Sequence, residues 1–168
     1  PLRVSRDFRR LWLGLLGSQF GFQFTLVASF IQVLRLTDSA AAVGLIGAVG
    51  FLALIAGTLA GGSFLDAVDR RKVLMATQVA LMAGSGLLLA GAIQGDPPVA
   101  LVYAGVAIIA GVSAIDSPTR AAITPRLLSP ALLPSAVALN QVVWNSTALI
   151  GPAVAGVVIT RLGLAWGH

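Results

Sequence analysis

Charged residues are few in this chain, so each is a candidate for chemistry. The densest group stands in the run Gly61-Gly62-Ser63-Phe64-Leu65-Asp66-Ala67-Val68-Asp69-Arg70-Arg71-Lys72-Val73-Leu74. Asp66 lies four residues ahead of Arg70, with Arg71 beside it, which is the material of an ion pair that can be made and broken. A solvated pair of this kind contributes only about 0–1 kcal/mol. Anchoring a turn at a membrane surface needs the Arg and Lys but leaves Asp66 unexplained. Asp69 stands where an N-cap is wanted for the apolar run that follows. Asp116 and Arg120 are spaced i, i+4, an ion pair if the helix holds through Pro118. Gln19, Gln23, Asn140 and Asn145 can hydrogen-bond a polar ligand without a fixed charge. They can equally bond neighbouring helices, which in membranes contributes about 0.6 kcal/mol each.

Other chemistry is excluded by composition. There is no Cys and no Glu, one Lys (Lys72) and one His (His168). Neither a disulfide nor a thiolate metal site is possible, and no metal site is expected. Gly84-Ser85-Gly86 offers a nucleophile, but no His stands in an apolar run to serve it as base. An intramembrane enzyme is therefore the weaker alternative, and no catalytic residue is assigned. The one Lys follows Arg-Arg rather than a Gly-rich loop, which excludes phosphate cradling of the ATP-binding type in this chain. No cofactor is expected. The net charge of +5 comes from residues that form no stripe interleaved with aromatics, so no nucleic-acid partner is expected.

The elements that must position these groups are apolar runs. The chain has 168 residues, 57% hydrophobic and 10% charged, with a mean hydropathy of +0.94. So little charge cannot cover the surface of a soluble domain of this length, and the chain is read as an integral membrane protein. Residues 39–65 and 73–94 carry no charge at all. The second of these runs, as a helix, is about 33 Å long, against a hydrocarbon core of about 30 Å. Five spans are expected, at about 11–34, 39–65, 73–95, 99–116 and 135–160. Thr37-Asp38-Ser39 supplies N-cap residues for the second, and Asp96-Pro97-Pro98 breaks the chain after the third. Pro118, Pro125, Pro130 and Pro134 make the stretch after Asp116 an interrupted, interfacial connection. With the amino terminus inside, Arg3, Arg6, Arg9, Arg10, Arg70, Arg71, Lys72, Arg120 and Arg126 are cytoplasmic, and only Arg35 and Arg161 are outside. That asymmetry places the amino terminus and the Asp66 turn in the cytoplasm. The glycine pairs Gly17/Gly21, Gly57/Gly61 and Gly91/Gly95 are read as helix contacts. Pro1 in place of Met, with no signal-peptide pattern ahead of the first span, is read as the mark of a fragment.

The turn at 62–72 resembles the loop between the second and third helices of major facilitator superfamily transporters, where Gly, three residues, Asp, Arg, any residue and Gly precede Arg-Arg or Arg-Lys. Gly62, Asp66, Arg70 and Arg71 match, while Ala67 and Asp69 replace the usual Arg and Gly. Phe8-Arg9-Arg10-Leu11-Trp12-Leu13-Gly14 is similar to the entry into the first helix of the drug- and siderophore-export branch. Gln32-Val33-Leu34-Arg35-Leu36-Thr37-Asp38-Ser39, Asp116-Ser117-Pro118-Thr119-Arg120 and Leu149-Ile150-Gly151-Pro152-Ala153-Val154-Ala155-Gly156 resemble that branch in the same order. The branch includes the enterobactin exporter and macrolide efflux proteins. The fourth span lacks the family's Arg, Ala148 stands where many relatives carry Arg, and Phe22 follows Gly21 where some carry an acid.

The resemblance implies an all-α membrane protein with five transmembrane helices of a six-helix amino-terminal bundle, truncated before or within helix six. It implies that Asp66, Arg70 and Arg71, with Asp116 and Arg120, form a conformational latch on the cytoplasmic side. Gln19, Gln23, Asn140 and Asn145 would face a central substrate cavity, and Gly151, Pro152 and Gly156 would kink helix five. The implied function is secondary, proton-coupled efflux of an amphipathic drug or siderophore-like molecule across the cytoplasmic (inner) membrane. The implied partners are that small molecule, the lipid bilayer and a missing carboxyl half. Since three-helix repeats build each half of such a fold, five helices are not expected to transport unaided. An inactive helical fragment is the humbler reading.

Overall fold

The computed structural model describes residues 6–64 and 69–162. These form five long helices: α1 (Arg6–Thr37), α2 (Ala40–Phe64), α3 (Arg70–Gln94), α4 (Val99–Leu127) and α5 (Leu133–Leu162). Each contains a segment long and apolar enough to cross a membrane, and no strand occurs among the described residues.

Local chemistry sets the helix ends. Ser39 Oγ accepts from the Ala42 amide at 3.3 Å and caps α2. Asp38, at φ 48°, makes the left-handed step between α1 and α2 that Asp tolerates better than most residues. Asp69 caps α3, its carboxylate accepting from the Arg71 amide at 2.9 Å, as its position in the sequence suggests. Gly95, at φ 91°, ends α3, and Pro97-Pro98 lead into α4.

The connection expected after Asp116 differs from the one observed. α4 continues through Pro118 and Pro125 to Leu127, 29 residues in all. A proline removes one N–H and crowds one carbonyl, which bends a helix more readily than it ends one when the neighbouring carbonyls keep partners. Thr119 Oγ1 donates to the Ile115 carbonyl at 2.7 Å, and Thr124 Oγ1 to the Arg120 carbonyl at 3.1 Å. The break falls at Leu128–Ser129, before a 3-10 turn at Pro130–Leu132. Pro134 lies in the first turn of α5, where a missing N–H costs nothing. At about 1.5 Å per residue α4 is about 44 Å long, so its last turns extend past the hydrocarbon.

α4 packs along both α2 and α3, and α1 along α5, with α1 also touching α2 and α4. Val33, Ile46, Leu88, Val102, Val106 and Ile109 form the central cluster joining α1 through α4. Ala28, Ala155 and Ile159 join α1 to α5, and Phe8, Leu128 and Ala136 close the end of the bundle that carries Asp69. Outward-facing side chains are large and apolar, with Leu59 72%, Met82 75% and Leu149 80% exposed. A surface of that kind needs lipid or another apolar partner over it.

Lipid tails are as apolar as Leu, so helices in a membrane associate by close van der Waals packing rather than by escape from water. The α2–α4 crossing shows what that demands. A Cβ on Gly57 would run into the Gly111 carbonyl oxygen, so the two backbones touch. The contacts expected of Gly57, Gly61 and Gly91 are present, whereas Gly17, Gly21 and Gly95 meet no neighbour within 4 Å. Gly57→Val is therefore expected to destabilise the bundle by about 1–3 kcal/mol, through overpacking against backbone that cannot rotate away. Gly17→Ala is expected to stay within about 0.5 kcal/mol of the parent. Unfolding titrations in mixed detergent micelles check both.

Candidate functional site

The polar chemistry of the described residues concentrates at the Asp69 end, where α3 starts and the transmembrane part of α4 ends. Asp116 faces α3 from α4 and is 7% exposed. Its Oδ1 accepts from Thr77 Oγ1 at 2.7 Å and from Gln78 Nε2 at 3.0 Å. Its Oδ2 accepts from Arg120 Nε at 2.6 Å. The side chains of Arg120 and Asp116 are 13% and 10% exposed, so solvent screens this pair little. One turn of α4 supplies both charges at i, i+4, and two successive residues of α3 supply the remaining donors. A carboxylate in so dry a place is tolerable only when paired and hydrogen-bonded.

Arg120 also faces the other way. Its Nη1 lies 3.9 Å from where a Cβ on Gly14 of α1 would sit. With Trp12, Thr124 and Asn140, and over an apolar floor from Phe8, Leu11 and Leu15, it lines a small cleft among α1, α4 and α5. The Trp12 indole nitrogen is buried and has no hydrogen-bond partner among the described residues. The buried pair thus holds Arg120 in place with one face of its guanidinium on Asp116 and the rest toward the cleft.

Residues read from sequence as one latch or one cavity are distributed as follows. Asp66 and the side chain of Arg70 lie outside the described residues. Arg71 is exposed at the first turn of α3, about 9 Å along the helix from Thr77. Asn140 lines the cleft beside Arg120. Gln23 packs its stem on Gly151, where an added Cβ would come within 2.8 Å of the Gln23 Cβ and Cγ. Gly151 and Asn140 are about 16 Å apart along α5, so Gln23 and Asn140 occupy different levels of the bundle. Gln19 is half-buried, and the exposed Asn145 accepts from Gln141 Nε2 at 3.2 Å. α5 runs as one helix through Gly151, Pro152 and Gly156, and Pro152 faces outward.

Sequence reasoning missed Thr77, Gln78 and Trp12 as parts of the site. Gln78 was the available signal, as the one carboxamide between Lys72 and Gln94. Ser29 and Gln32, polar residues of the first span, lie with Thr25 in a stripe on α1, where Thr25, Ser29 and Gln32 are 5%, 0% and 2% exposed. Ser29 Oγ has no partner among the described residues.

Breaking the buried pair has a signed consequence. Asp116→Asn leaves the Arg120 charge uncompensated and is expected to destabilise the bundle by about 3–5 kcal/mol. Asp116→Asn combined with Arg120→Gln is expected to regain at least half of that loss. Thr77→Val is expected to cost about 1–3 kcal/mol by removing one donor to the carboxylate. Detergent-unfolding midpoints of the single and double variants check the cycle.

Comparisons with known proteins agree with this architecture. The multidrug efflux pump Tap of Mycolicibacterium fortuitum is 28% identical over 156 residues, covering 85% of this chain and 36% of that protein. The chain therefore spans about a third of the length of that relative. No solved structure matches the chain. A family profile described as "Transmembrane secretion effector" matches residues 1–168. On that match, with five membrane-length helices to carry it, this chain belongs to the transmembrane secretion effector family of the major facilitator superfamily.

Proposed function

We propose that this chain is the amino-terminal bundle of a secondary active efflux permease that moves an amphipathic drug or siderophore-like molecule by alternating access. The observation that carries the reading is the buried Asp116–Arg120 pair, tied to α3 by Thr77 and Gln78 at the end where the Asp66 turn joins α2 to α3. A turn that only anchored topology would need no carboxylate held by three donors beside it. The pair lies within α4 and is joined to α3 by the two neutral donors, neutral as a whole and intolerant of half-broken states. Asp66, Arg70 and Arg71 are the turn's share of the proposed latch, which closes when their charges meet the second half of the transporter and opens when they part.

The relative's name, a multidrug efflux pump, supports export of a small molecule as the task. Energy comes from an ion gradient, with protons as the coupling ion, as the family resemblance implies; the only Lys in the chain follows Arg71 and sits in no phosphate-binding loop. The excess of Arg and Lys at the Asp69 end supports a cytoplasmic amino terminus in the inner membrane. Gln19, Gln23, Asn140 and Asn145 are the cargo-contacting candidates, at several levels of the path, and Gly151, Pro152 and Gly156 are the gating bend of α5. A carboxyl half completes the transporter.

The test is efflux by the full-length protein in proteoliposomes under an imposed pH gradient. Asp66→Asn is expected to lower the rate about tenfold or more, equivalent to about 1.4 kcal/mol, with expression near the parent level. A normal rate in that variant removes the latch. Gln23→Leu is expected to change the ranking of exported compounds more than it changes stability, and an unchanged efflux spectrum removes Gln23 from the cargo path.

A further inference from the structure

We infer that the cleft among α1, α4 and α5 is a binding site for an oxyanion, a phosphate or carboxylate group. Its polar lining consists mainly of donors. Arg120 uses Nε on Asp116, and a guanidinium carries five N–H groups in all. The Trp12 indole can only donate, and it is buried without an acceptor among the described residues. Thr124 gives its hydroxyl proton to the Arg120 carbonyl and so adds no donor to the cleft, leaving Arg120, Trp12 and Asn140 as the donors. Asn140 adds a carboxamide that can donate. Among the described residues no acidic side chain lines the cleft.

A ligand for such a set must accept hydrogen bonds, and an oxyanion accepts several at once from a fixed guanidinium fork. The positioning is already made. Asp116, itself held by Thr77 and Gln78, fixes Arg120, and the missing side chain of Gly14 leaves the Arg120 Nη1 side open toward α1. Arg6, Arg9 and Arg10 are exposed on the first turns of α1 and outweigh Asp7, so the potential at this end favours an anion. Cations are repelled, and a neutral solute leaves that potential unused.

Size separates the site from a drug-binding cavity. The interior is about 20 Å³, the space of a single ordered water, so only the tip of an anionic group enters. Two sources share that chemistry, the phosphate of an anionic lipid headgroup and a soluble phosphate or carboxylate. The inference does not depend on the direction or cargo of transport.

The experiment uses the full-length protein, labelled with 5-fluorotryptophan, in lipid nanodiscs. The fluorine resonance lost in Trp12→Phe reports on the cleft. One arm titrates inorganic phosphate, then acetate, into phosphatidylcholine nanodiscs, and the other raises the phosphatidylglycerol content. A saturable shift in the first arm identifies a soluble oxyanion as the ligand, and a shift in the second alone identifies the lipid headgroup. Either supports the site, provided Asn140→Leu weakens the apparent affinity about fivefold and Arg120→Gln about tenfold or more. If Arg120→Gln does not fold, Asn140→Leu decides. A resonance that moves in neither arm, or a shift unchanged in Asn140→Leu, overturns the inference.

Discussion

A carboxylate buried where water is scarce constrains everything around it. Asp116 is charged and almost fully enclosed, and the bundle answers with one cation and two neutral donors. Those four side chains come from two helices, so their arrangement also fixes the register of α3 against α4 at this end. The prolines of α4 do not disturb this arrangement, because the helix holds its i, i+4 spacing across Pro118 and keeps Arg120 within reach of Asp116. Arg120 is then presented to the far side of α4 without freedom to choose another partner. One electrostatic requirement thereby links α3, α4, α1 and α5.

The apolar part of the fold serves the same end differently. Its helices are held by close approach, as at Gly57 on Gly111 and at Gly151 on Gln23. Such contacts are short-range and unforgiving, while the polar cluster is longer-range and directional. Membership of the transmembrane secretion effector family removes the intramembrane-enzyme alternative, and Ser85 is a small residue in a packed helix.

Much of this was legible in the sequence because membrane insertion simplifies the code. Long uncharged runs marked all five helices, and Ser39 and Asp69 announced their caps. The i, i+4 spacing of Asp116 and Arg120 was visible too, but Pro118 argued against a helix there. The helix nevertheless continues through both prolines, a continuity that shows only once α2 and α3 are packed along it. Thr77 and Gln78 were overlooked for a related reason, since two polar residues in an apolar run do not reveal which helix they face. Gln23 and Asn140 read as one group by type, yet a long helix separates their levels by several turns. Trp12 read as part of a helix entry, and only packing buries its nitrogen. Asp66, the residue that first drew attention, lies outside the described residues.

The contact of Gly57 with Gly111 has a mechanical corollary. Where two backbones meet with no side chain between them, neither helix can roll or slide without driving a carbonyl oxygen into its neighbour. α2 and α4 therefore move as a single stiff board. Seams lined by flexible side chains, such as that of α1 with α4 at Arg120, are free of this constraint.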